Sequence, residues 1–182
     1  MWNSGGYSVE LSHQYLVDME IAKNLLRRLG KWEYLGLCLL VLVILAVHFS
    51  FIMQPTELVF DEQHYVTEAR SILQGGDKLH WEHPPVGKLF IVFGMFLFGD
   101  NPLGWRFSSI LFGAICILLF YLVCRRLDIS KRASFLATFL LALDNLSFIQ
   151  ASIAMLDVYS LAFTLISFWL YLKGRYLLSG VS

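Results

Sequence analysis

The chain has 182 residues, of which 57% are hydrophobic, 15% aromatic and only 15% charged, with a net charge of zero. A soluble domain carries roughly 25% charged residues, so this composition places the chain in a bilayer, and the missing basic excess argues against a nucleic-acid partner. Cys38, Cys116 and Cys124 lie in apolar runs without metal-ligand or disulfide spacing and read as small buried hydrophobes.

Residues 1–33 read as a cytoplasmic segment. Apolar positions spaced between basic residues over 9–29 suit either a helix lying on the membrane surface or a disordered stretch. The first long apolar run begins only near Leu35, after Lys23, Arg27, Arg28 and Lys31, and no small-residue cleavage site follows it. It is a membrane anchor rather than a signal peptide.

Four stretches are long and apolar enough to be spans: 35–53, 107–124, 131–150 and 149–172. A fifth run, 86–98, would cover only about 20 Å of a hydrocarbon core about 30 Å thick. It reads as a non-crossing helix, re-entrant or on the membrane surface, with Pro84 and Pro85 before its first turn and other protein packed over it. With that helix not crossing, the basic clusters at 23–31, 125–132 and 173–175 share one side, and ten of the fourteen Lys and Arg become cytoplasmic. The expected fold is an all-α membrane protein, with 34–182 as its transmembrane part and 54–105 as one outer loop.

That outer loop holds seven acidic residues against three basic ones. Asp144 and Asp157 are expected on the same face as Asp61 and Glu62, and ionisable groups at membrane depth point to function. A partly desolvated carboxylate can take a proton from a hydroxyl, which makes Asp61 or Glu62 a candidate general base. The same pair also suits the N-terminus of a helix over 63–73, as cap and first-turn acid. His83, Lys88 and Arg106 could contact a phosphate; Lys88 and Arg106 could equally be interfacial residues that snorkel.

Four segments, "FDEQHYV" (60–66), "EHPPVGKLF" (82–90), "GDNPLGWRFSSILFG" (99–113) and "IAMLDVYSL" (153–161), resemble in this order the N-terminal part of the protein O-mannosyltransferase family, of the GT-C glycosyltransferase class and its prokaryotic branch. The resemblance implies a multi-pass enzyme of the prokaryotic plasma membrane, active on its outer face. It would move mannose from a polyprenyl-phosphate carrier to Ser or Thr of exported proteins, with inversion and without a metal or other cofactor. Asp61 would be the base and Glu62 an organiser of the site; His83, Lys88 and Arg106 would lie near the carrier phosphate, and Asp157 would match an acid at the outer end of a later span. Ser152 stands where such enzymes often carry Arg. Family members have about eleven or more spans, so an incomplete enzyme is expected: a truncated chain, one completed by another membrane subunit, or a degenerate relative. Two alternatives stand beside the enzyme of protein acceptors: a GT-C transferase acting on a lipid or glycan, and a non-catalytic membrane subunit.

Overall fold

The computed structural model describes residues 32–76, 85–174 and 180. The chain divides into two compact units, 1–38 and 39–182; of the first, only the opening turns of one helix are described. The N-terminal segment before residue 32 lies outside the described residues.

Helices run in chain order as α1 (Trp32–Phe51), α2 (Glu62–Leu73), α3 (Pro85–Phe98), α4 (Pro102–Arg126), α5 (Lys131–Ala142), α6 (Asn145–Ser152) and α7 (Asp157–Leu172). The described residues hold no strand, as expected of an all-α membrane protein. By length and composition α1 and α4 can each cross a bilayer.

α4 is the axis of the fold, packed by α3, α5, α6 and α7. Its N-terminus is set by Asn101, whose side-chain oxygen accepts from Leu103 N at 3.0 Å and Gly104 N at 3.2 Å, followed by Pro102 at the first helical position. Arg125 and Arg126 fill its last turn, where cations suit the helix dipole. α1 turns Leu40, Ile44 and His48 inward at a four-residue spacing and leaves Leu39, Leu42, Val43 and Val47 exposed. An exposed apolar face of that kind belongs in hydrocarbon.

The run 86–98 is a helix of 14 residues, about 21 Å long. α2, α4 and the side chains of Leu156 and Tyr159 cover one face of it, burying Gly87, Lys88, Ile91, Gly94 and Met95, while Leu89, Phe93, Phe96 and Leu97 remain exposed. Its contact with α4 is backbone on backbone. A Cβ on Gly94 would lie 2.3 Å from the Gly104 carbonyl oxygen, and one on Gly104 would lie 2.1 Å from that of Gly99. Gly104→Ala is therefore expected to lower stability by about 1–3 kcal/mol by forcing the two helices apart, read as an earlier thermal unfolding midpoint in detergent.

The expected spans 131–150 and 149–172 break differently. α5 ends at Ala142 and α6 leaves at a bend of 59°, because the Asp144 side chain accepts from Ser147 N at 2.8 Å and starts a new helix. Residues 153–156 are extended or turned, and α7 begins at Asp157 with 16 residues. Apolar periodicity sees the hydrophobic run but not the cap inside it.

At the turn between α3 and α4, Asp100 accepts from Arg70 Nε at 2.7 Å, Arg70 Nη2 at 3.0 Å and Trp105 Nε1 at 2.7 Å, tying α2 to the hairpin. The Arg70 guanidinium holds the Asp100 carboxyl below the ordinary Asp range, helped by the indole N–H. Since the folded form binds that proton more weakly, the clamp is intact above the unfolded Asp pKa of about 3.9 and is lost as pH falls below it. Both partners are partly exposed, so only a small stability change is expected. The Trp105 indole N–H resonance should move on acidification, and in Asp100→Asn it should not.

Candidate active site

Glu62 and Arg106 are 44 positions apart, and both are fully buried. Arg106 Nε donates to Glu62 Oε1 at 2.8 Å and Nη2 donates to Oε2 at 2.9 Å, a two-pronged pair. The remaining donors go to backbone carbonyls: Nη1 to Ile52 O at 3.0 Å and Pro55 O at 2.8 Å, Nη2 to Glu57 O at 3.3 Å. All five N–H groups of the guanidinium are thus used. The carboxylate is equally full, since Oε1 also accepts from Ala154 N at 2.8 Å and Oε2 from Val59 N at 3.1 Å. The bond to Val59 N ties the first residue of α2 back to the loop before it. One ion pair therefore pins four pieces of chain: the loop after α1, the start of α2, α4, and the 153–156 segment before α7.

Around that node stand the acids. Asp61 occupies the N-cap position of α2, and its carbonyl accepts from His64 N and Tyr65 N at 3.0 and 3.1 Å. Its side chain makes no cap hydrogen bond and is exposed. Phe60 before it has φ 49°, a left-handed conformation that costs a non-glycine residue about 1–2 kcal/mol. The Glu62 network holds both flanks of that strained residue, so Asp61 is presented on a fixed turn. Asp157 is exposed in the first turn of α7, where the helix dipole favours its charge. Leu156 beside it packs onto Gly87, where a Cβ would come within 2.8 Å of the leucine Cδ2.

Tyr65 joins the groups. It is buried, and burial, then the charges of Asp61, Asp157 and Glu68, push its pKa up, so the phenol stays neutral. The charges of Asp61 and Asp157 thus both reach Tyr65. Glu68, three residues further along α2, pairs with Lys88 Nζ at 2.5 Å, with the lysine fully buried.

The sequence model of the family described as dolichyl-phosphate-mannose-protein mannosyltransferase matches residues 96–179. A polyprenol-phosphate-mannose–protein mannosyltransferase of Mycolicibacterium smegmatis is 37% identical over 116 residues, 60% of this chain and 22% of the relative. One of Mycobacterium tuberculosis is 33% identical over 150 residues, 79% of this chain and 29% of the relative. The chain is a relative of the protein mannosyltransferases. It spans about a quarter of the length of the curated relatives it matches. An undecaprenyl phosphate-alpha-4-amino-4-deoxy-L-arabinose arabinosyl transferase of Pseudomonas aeruginosa is 31% identical over 126 residues, 63% of this chain and 23% of that protein. No solved structure gives a significant match. The alignment with the M. tuberculosis mannosyltransferase omits only about a fifth of this chain, so wherever it begins it includes Asp61, Glu62 and Arg106.

For this mannosyltransferase relative the expected site residues sort into two groups. Asp61 and Asp157 are both exposed, and the charges of both act on Tyr65. Glu62 is sealed inside the protein and organises the backbone. The reading of Arg106 as a phosphate grip has to change, because no N–H is left to give. The snorkelling alternative for Arg106 and Lys88 fails too, since both side chains are fully buried and ion-paired. His83 lies outside the described residues, and Asp144 serves as the cap of α6. Tyr65 was missed, although its signal was present: it sits four residues after Asp61 and three before Glu68, on one helical face.

Proposed function

We propose that this chain carries the acceptor-activating face of a membrane glycosyltransferase that moves mannose from a polyprenyl-phosphate carrier to Ser or Thr hydroxyls of exported proteins. The observation that carries the reading is the Asp61 carboxylate, exposed and free of a capping bond on a turn fixed by the buried Glu62–Arg106 pair. In this mechanism Asp61 takes the proton of the acceptor hydroxyl as its oxygen attacks the sugar C1. The C1–O bond to the carrier breaks from the opposite face, the polyprenyl phosphate leaves with the bonding electrons, and the sugar carbon is inverted. No metal takes part. With Arg106 and Lys88 paired inside the protein, the carrier phosphate falls to other groups, His83 among them. The basic clusters at 23–31, 125–132 and 173–175 support a cytoplasmic side opposite Asp61 and an active site on the outer face.

The similarity to the arabinosyl transferase favours a second reading, a GT-C enzyme with another polyprenyl-linked sugar and a lipid or glycan acceptor. Membranes containing the protein are incubated with labelled polyprenyl-phosphate mannose or the amino-arabinose donor, together with a Ser/Thr-rich peptide. Mannose on the peptide is the expected result. Consumption of the arabinose donor alone, or label entering only lipid, selects the second reading, and no consumption of either donor contradicts both.

A further inference from the structure

The turn between α4 and α5 plays no part in the mechanism above. Within eight residues it gathers Arg125, Arg126, Lys131 and Arg132 against the single acid Asp128. Helix electrostatics account for only half of these cations. Arg125 and Arg126 end α4, where the dipole favours positive charge, but Lys131 and Arg132 open α5, where the dipole opposes it and no acid stands in the first turn. The positive end of α5 therefore adds to the charge of the side chains. Arg126, Lys131 and Arg132 are exposed.

The connection itself, Leu127 to Ser130, is tied down. Ile129 N donates to Cys124 O at 3.2 Å, and the Ile129 carbonyl accepts from Arg125 Nη1 and from Ser134 Oγ. Asp128 reverses the chain with φ 58°, a left-handed conformation that Asp adopts more readily than most residues, and the Ser130 side chain accepts from Ala133 N at 3.3 Å to start α5. This fixed turn nonetheless leaves Leu127 49% and Ile129 37% exposed. A free phosphate would answer the cations and leave both aliphatic side chains in water, while a neutral lipid would answer the aliphatic pair alone. An anionic lipid answers both, since its phosphate meets the cations and the boundary beneath it takes the apolar pair.

We propose that the α4–α5 turn is a docking surface for anionic phospholipid, with Arg126, Lys131 and Arg132 on the headgroups and Leu127 and Ile129 in the acyl boundary below them. The charge rule puts this turn on the cytoplasmic side, whose leaflet carries a negative surface potential. Nothing in the proposal depends on the sugar or the acceptor.

The test uses the full chain, labelled at the isoleucine δ-methyl groups, in phosphatidylcholine nanodiscs that receive phosphatidylglycerol with a nitroxide near the glycerol end of its acyl chain. The same nitroxide on phosphatidylcholine is the comparison. The Ile129 methyl resonance, assigned by its disappearance in Ile129→Val, is expected to broaden saturably with the labelled phosphatidylglycerol and much less with the labelled phosphatidylcholine, and high salt should shrink the difference. The combined change Arg126→Gln, Lys131→Gln and Arg132→Gln should weaken the phosphatidylglycerol effect about 10²-fold, at about five-fold per cation, whereas Arg126→Lys with Arg132→Lys should keep it. Three results overturn the proposal: equal broadening by the two lipids, meaning that the turn reads depth and not charge; no broadening by either, meaning that it stands in water; or recovery of the signal with an equal concentration of inorganic phosphate, meaning a site for free anions. The native signal does not depend on any variant folding.

Discussion

Arg106→Ala is expected to destabilise the protein by about 3–5 kcal/mol, the range for removing one partner of a buried ion pair. The loss goes beyond one contact. Without the guanidinium, the Glu62 carboxylate is left charged at zero exposure, with Val59 N and Ala154 N as its remaining donors, and three backbone carbonyls lose theirs. Arg106→Lys should recover little, because an ammonium cannot fork to the carboxylate while also reaching carbonyls on both sides. The clamp Arg70–Asp100, with side chains 34% and 48% exposed, supplies the internal control. Breaking it is expected to cost no more than about 1 kcal/mol. Thermal unfolding of the three variants in the same detergent gives the ranking; an Arg106→Ala protein as stable as the native one would remove the central pin from this account.

Asp61→Asn is expected to do the opposite: leave stability within about 0.5 kcal/mol of native and lower sugar transfer by about 10²- to 10⁴-fold. The first figure is the usual range for a surface substitution and follows from a side chain that is exposed and caps nothing. The second is the usual contribution of a positioned general base. Neighbouring acids thus part company. Glu62→Gln puts an amide N–H₂ where an oxygen must accept from both Arg106 and the backbone, so it should lose transfer by losing the fold. Activity per folded molecule, with folded protein counted by size-exclusion chromatography, separates the two cases.

How much of this was legible in the sequence depends on the range over which each feature is encoded. α1 and α4 follow from apolar length alone, and the shortness of the 86–98 helix follows from counting. The break at Leu143 and Asp144 was within reach, since an Asp three residues before Ser147 is a cap signal, but the apolar run around it is continuous. By sequence Asp61 and Glu62 suit a cap and a first-turn acid. The structure gives Asp61 the cap position without the cap bond and gives Glu62 a bond back to Val59. The partnership of Glu62 with Arg106 has no local signature, because it joins residues 44 positions apart. Lone basic residues near apolar runs look like snorkelling ones until the fold buries them. The charge rule supplies only the expectation that Asp61 and Asp157 share a face, and Tyr65 beside Asp61 is legible only through helical spacing.

The most direct test of the claim that Asp61 activates the acceptor, while Glu62 and Arg106 only hold it in place, is a side-by-side transfer measurement. Native and Asp61→Asn proteins, at equal folded concentration in membranes, receive labelled polyprenyl-phosphate mannose and a Ser/Thr-rich peptide. The account predicts mannose on the peptide with native protein and a rate at least about 10²-fold lower with Asp61→Asn. Equal rates from the two proteins would contradict it.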